Sequence, residues 1–300
     1  MKPAFTRFFI LALAFIVSLL SWPLSIVSTA HADGDTRQEL YLRYEANWGG
    51  VHVADFALSF LSTPKTFENR FHLETRGVTR YFTNMSVTAI SRGRIVSQPF
   101  QNKDELGKTY LAGHYHTEYT NTKHFRWVDI TFPEAPAPAQ ATTGTSPIAG
   151  REENWNPAEK GPEVLDKVEA EHLINVNDPI TLIPQMMDIV RSHLSGGPKS
   201  GIARGFDGRR RFDMRITYFG PATRTINKIR QETYRVRIDP QPVAGFKERH
   251  KILWNNAAYD FYLSRDGKFM PLQIVPVDHG PVLTLVGECP TECEIKAEED

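Results

Sequence analysis

Cysteine is nearly missing from this 300-residue chain: there are two, Cys289 and Cys293, both close to the end. One bridge cannot staple a fold of this length, so burial has to hold the core together. An excess of charge of either sign is missing too, with 35 basic against 35 acidic residues. That balance gives no electrostatic case for nucleic acid or an anionic membrane surface as a partner. The signatures G-x-S-x-G, H-E-x-x-H, G-x-G-x-x-G and C-x-x-C do not occur, which removes the common hydrolase, metalloprotease, dinucleotide and thioredoxin-like patterns. Gly107-Lys108-Thr109 imitates the end of a phosphate-binding loop, but the position five residues before Gly107 is Asn102. A strand pattern also follows it where that motif needs a helix.

Long apolar runs are absent with one exception, Phe8 to Val27, which follows Lys2 and Arg7 and leads to Ala30-His31-Ala32. Basic start, apolar stretch and A-x-A site together predict a Sec-type signal peptide over residues 1–32, cut between Ala32 and Asp33. The expected address is the periplasm or the exterior, with no membrane span left after cleavage. No cysteine follows the run, so a lipid anchor at the cleavage site is excluded.

What is present from Asp33 onward is alternation. Leu40, Leu42 and Tyr44 alternate with Tyr41, Arg43 and Glu45, then Trp48-Gly49-Gly50 offers a turn, and Ala54, Phe56, Leu58 and Phe60 share one face of the return strand. Further strands or strand pairs are predicted over 67–76, 82–96, 108–119 and 123–132, with Ser91-Arg92-Gly93-Arg94 as a hairpin tip. After the middle of the chain, strands are expected over 211–219, 224–238, 251–263, 269–277 and 282–287. Arg265-Asp266-Gly267-Lys268 is a hairpin turn, because Asp-Gly supplies positive φ. The segment Pro133 to Pro162, rich in Pro, Ala, Thr and Gly, is expected to be a flexible insertion. One helix is predicted from Asp178 to Leu194, capped at Asn177 or Asp178, with Ile180, Ile183, Met187, Val190 and Leu194 as its apolar stripe.

The pieces Tyr44 through Trp48-Gly49-Gly50 to Phe56, then Asn177-Asp178-Pro179-Ile180, then Phe206 to Asp213, and last Pro271-Leu272 resemble the family called domain of unknown function 3108. The resemblance implies an exported bacterial protein of that type over residues 33–300 and transfers no activity and no catalytic residue. The Pro-rich stretch and the terminal cysteine pair look like additions to the family pattern.

Chemistry-bearing groups are few. His114 and His116 project to one side of a strand, with His124 on a neighbouring one, which makes them the nearest approach to a metal motif. Asp207-Gly208 before Arg209, Arg210 and Arg211 reads as a turn opening a strand rather than an acid beside an anion site. Cys289 and Cys293 are expected to form a structural clip. The fold class that follows is mainly β: a large curled antiparallel sheet, barrel or half-barrel, in one domain, with the main helix packed on it. The function expected is non-enzymatic and without cofactor: binding of a lipid, lipoprotein or other hydrophobic envelope component against Phe56, Leu58, Phe60, Ile183 and Met187. The alternatives are an envelope scaffold with a filled β core, and a metal-dependent hydrolase using His114 and His116.

Overall fold

The computed structural model describes residues 37–82, 84–99, 106–122, 124–147, 168–247, 251, 254 and 257–295. The expected signal peptide and its cleavage site lie outside these residues, as do positions 148–162 of the Pro-rich segment. The first hairpin joins β1 (Gln38–Trp48) to β2 (Val51–Ser62), with Leu42 opposite Leu58 and Tyr44 opposite Phe56. Gly49 and Gly50 sit at φ +58° and +85° in its turn, a geometry in which both central residues need positive φ. The meander continues through β3 (Thr66–Thr75), a single helical turn α1 (Thr79–Phe82), β4 (Ser86–Pro99), β5 (Leu106–Thr120), β6 (His124–Thr131) and β7 (Gln140–Pro147). Each strand is antiparallel to the one before it.

Two local expectations are corrected in this half. Ser91 to Arg94 is no hairpin tip, since β4 runs straight through it with a register irregularity between Arg92 and Gly93. The glycine serves a close approach instead: a Cβ at Gly93 would overlap the Leu111 carbonyl and the Phe67 ring. Gln140–Pro147, taken as part of a flexible insertion, is β7, paired with β6 along its length. Its threonines favour a pleated strand, and an edge position asks for little apolar surface.

A 3-10 turn (Ala170–Leu173) and the helix α2 (Leu182–Leu194) carry the chain across to the far side of the sheet. There β8 (Ser200–Phe206) begins a second meander through β9 (Arg211–Ile226), β10 (Ile229–Ala244), β11 (Tyr259–Ser264), β12 (Pro271–Pro276) and β13 (Val282–Glu288). β13 then pairs with β1, so the two meanders form one 13-stranded antiparallel sheet in the order β7-β6-β5-β4-β3-β2-β1-β13-β12-β11-β10-β9-β8. No ladder joins β7 to β8 among the described residues, and the sheet is open there. The fold class is therefore the one expected from alternation: mainly β, one large antiparallel sheet, one main helix packed on it.

The second meander differs from expectation in its turns. β9 and β10 meet at Asn227 and Lys228, both at positive φ, where a continuous strand had been expected. The break expected near residue 220 is a bulge instead, with Gly220 at φ +108°. Of the span 251–263, only Tyr259 onward is strand. α2 starts at Leu182 rather than Asp178, with Pro184 in its first turn, where a missing N–H costs nothing. Leu194 is 38% exposed and leaves the buried stripe, which runs through Leu182, Met186, Met187 and Val190.

Candidate functional site

The concave side of the sheet is apolar by strict alternation. Leu42, Tyr44, Leu58 and Met270 form a buried cluster there, and Leu40, Phe56, Phe60, Phe71, Ile183 and Leu285 pack around it while keeping part of their surface accessible. Phe56 and Phe71 rings lie 5.8 Å apart at 54°, a tilted aromatic pair. The Tyr44 hydroxyl donates to the Pro271 carbonyl at 2.8 Å, which satisfies its only buried polar atom and ties β1 to β12. The structure thus brings four of the five expected ligand residues together: Phe56, Leu58, Phe60 and Ile183. Met187 belongs to the adjoining cluster with Met186, Val190, Phe212, Tyr218 and Val236, which Ile183 also touches. α2 fills the concave face at its own end, packing on β5, β8 and β9.

What fixes the helix over the open seam is a polar spine that apolar periodicity could not reveal. Asp178, Ser91 and Thr181 are fully buried. The Asp178 carboxylate accepts from the backbone N–H of Ile180 and Thr181 at 3.0 Å each, from Ser91 Oγ at 2.5 Å and from Thr181 Oγ1 at 2.7 Å. Burial pushes its pKa up, against the downward pull of these hydrogen bonds. One residue earlier, Asn177 accepts from the Ala112 N–H at 2.7 Å and donates to the Tyr110 carbonyl at 2.9 Å, both on β5. Its backbone N–H donates to Arg204 and its carbonyl accepts from Phe206, both on β8. Leu173 accepts from the Ala139 N–H beside β7 at 2.9 Å, so the crossover segment fills the gap between the edge strands. The sequence placed the helix cap at Asn177 or Asp178, whereas the N-cap residue is Thr181 and Asp178 closes the turn before it. The sequence could not show that Asn177 also bridges two strands.

Three open clefts follow this seam, of about 410, 620 and 490 Å³. Their walls mix Asn177, Gln185, Asp188 and Arg204 with Ile202, Leu173 and Phe206, and none of them includes the expected ligand residues.

His114 and His116 lie on the opposite, convex side of β5. The third group beside them is not His124 but Asp129 of β6, whose carboxylate meets His114 Nε2 at 3.1 Å and His116 Nδ1 at 3.2 Å. Among the described residues no group of three or more His, Cys, Asp or Glu is arranged to hold a metal ion. Asp207 serves its turn, its carboxylate accepting from the N–H of Arg209 and Arg210 while Gly208 takes φ +90°. Arg211 is no solvated arginine: it is buried, paired with Asp213 at 2.7 Å and donating to the His172 carbonyl at 3.0 Å. Cys289 and Cys293 are joined, with Cα atoms 5.6 Å apart, and the bridged segment packs Cys293 and Ile295 against Ala57 on the convex side.

No family model matches the chain, and no curated protein matches it. Among solved structures, the chain is similar to a beta-barrel-like protein of domain of unknown function DUF1849 from Brucella abortus. Identity is 10%, the TM-score is 0.44, and the match covers 83% of this chain and 95% of that one. No helix among the described residues is long and apolar enough to cross a membrane, which says nothing of strands.

Proposed function

We propose that the protein is a non-enzymatic component of the cell envelope whose concave sheet face takes up a lipid, lipoprotein or other hydrophobic molecule. One observation carries the reading: Phe56, Phe60, Phe71 and Ile183 point inward with the buried cluster yet keep accessible surface. Export by the apolar run at residues 8–27, cleavage before Asp33 and kinship with domain of unknown function 3108 belong to the same proposal. Native mass spectrometry of protein recovered from an exporting host tests it, together with titration of a fluorescent fatty-acid probe. Retained lipid, and probe binding abolished by Ala54→Trp without loss of fold, is the expected outcome. Absence of both lipid and probe binding would overturn it.

The second reading, a scaffold with a filled core, is favoured by the clusters around α2, where Met186, Val190 and Val236 have no exposure. Under it, Ala54→Trp meets packed atoms and lowers stability by about 1–3 kcal/mol. The hydrolase reading has less support, because His114, His116 and Asp129 hydrogen-bond to one another and no group of three such residues among those described is arranged to hold a metal ion.

A further inference from the structure

The two ends of the sheet differ in chemistry. At one end the turns are mostly polar, Ile229 of the β9–β10 turn excepted: Thr63 bonds Thr66, Asp266 accepts from the Lys268 N–H, and Lys268 pairs with Glu288 at 3.2 Å. At the other end the β5–β6 and β8–β9 turns are polar, but the connections close to β1 and β2 carry exposed apolar side chains. Trp48 is 61% and Val51 48% exposed at the β1–β2 turn, Val78 is 53% and Tyr81 88% exposed at α1, and Val277 and Tyr259 follow at 47% and 38%.

These six residues form one contiguous rim. Trp48 faces Val51 across the hairpin, and the Arg76 N–H donates to the Val53 carbonyl, which seats α1 beside the same turn. Asn47 pairs with Val282, so the β12–β13 turn is the next neighbour, and the Val277 N–H donates to Ala258, next to Tyr259. No carboxylate lies between Trp48 and Val51 or between Gly77 and Phe82. Side chains that are large, apolar and tipped with one N–H or O–H suit a boundary that is apolar on one side and wet on the other.

We propose that this rim docks on the surface of a phospholipid bilayer, with Trp48 and Tyr81 inserted at the headgroup boundary. The exposed area decides against a second copy of the chain. At about 150–250 Å² per aromatic side chain, Trp48 and Tyr81 with the partly exposed Tyr259 and three half-exposed valines present a few hundred Å². That falls short of the ~800 Å² per partner of a standard interface. The rim is also a row of projecting tips, which a deformable lipid surface accommodates and a preformed protein pocket does not. Charge at these tips is limited to Arg80 of α1 and the exposed Asp278 and His279 beside Val277, so docking rests mainly on apolar insertion and depends little on salt. It does not depend on whether the concave face binds a ligand, and the two are tested by different readouts.

The test uses vesicles of phosphatidylcholine and phosphatidylethanolamine, some carrying brominated chains, and the full protein as recovered from an exporting host. Wild-type protein should sediment with vesicles to the same extent at low and high salt, and brominated lipid should quench its tryptophan emission. Trp48→Phe should lose that quenching although other tryptophans remain, and Trp48→Ser with Tyr81→Ser should lower partitioning about tenfold or more. No sedimentation and no quenching of wild-type protein would overturn the proposal. So would quenching that persists in Trp48→Phe, or a wild-type dimer in sedimentation velocity that the double variant dissolves. Because quenching is read on the wild-type fold, a variant that misfolds does not protect the proposal.

Discussion

At the scale of single residues, Asp178 carries the sharpest consequences. Its carboxylate accepts four hydrogen bonds inside a fully buried site, so Asp178→Ala strands two backbone N–H groups and two hydroxyls. The expected loss is about 2–4 kcal/mol in denaturant unfolding. Burial raises its pKa in the folded protein above the unfolded value of about 3.9. The folded state then holds the proton more tightly, and the contribution to stability, complete below about pH 4, declines as pH rises through the folded value. Asp178→Asn removes that titration, so the melting temperature of wild type relative to Asp178→Asn should fall from pH 4 toward neutrality. A difference independent of pH would refute it. Glycines separate in the same way. Gly93→Ala places a methyl group on the Leu111 carbonyl and the Phe67 ring and should cost roughly 1–3 kcal/mol. Gly49→Ala meets no atom within 4 Å and should cost about 1 kcal/mol, from positive φ alone.

At the scale of elements, α2 separates what the sequence discloses from what it does not. Periodicity located the helix and made Val190 and Met187 part of its stripe, but it put Leu194 inside and left Met186 out of the stripe. Met186 has no exposure, whereas Leu194 is 38% exposed. Met186→Ala should therefore cost about 2–5 kcal/mol. Leu194→Ala should stay within about 0.5 kcal/mol. Both are read from denaturant midpoints. β1 to β3, β5 and β6 were legible because period two is written in consecutive residues, and the same signal put Phe56, Leu58 and Phe60 on one face, whereas β7, with threonines in place of apolar residues, was not. The β9–β10 turn was not legible, since Asn227-Lys228 contains no glycine and tertiary pairing holds both residues at positive φ. β8 was missed for a related reason: its seven residues include two glycines and few apolar side chains, and pairing with β9 makes it a strand. Gly93 misled because the same residue type serves a turn and a close approach.

For the molecule as a whole, the open seam is held by one short segment. Asn177 touches β5 through its side chain and β8 through its backbone, partners that no local pattern could indicate, since Ala112 lies 65 residues away. Asn177→Ala should cost about 1–3 kcal/mol. It should also raise amide hydrogen exchange in both β5 and β8, on opposite sides of the gap, whereas a purely local cap would affect the helix alone. The pairing of β1 with β13 bears on how the chain is made. β1 leaves the ribosome long before β13, and Leu42 finds its neighbour at Glu288. Until β13 is made, the first meander has an unpaired edge at β1, and edges of that kind attract other chains. Contacts this distant in sequence form slowly. The sheet therefore cannot be completed while the chain is being made, and the period before β13 docks is the one in which it is most exposed to aggregation.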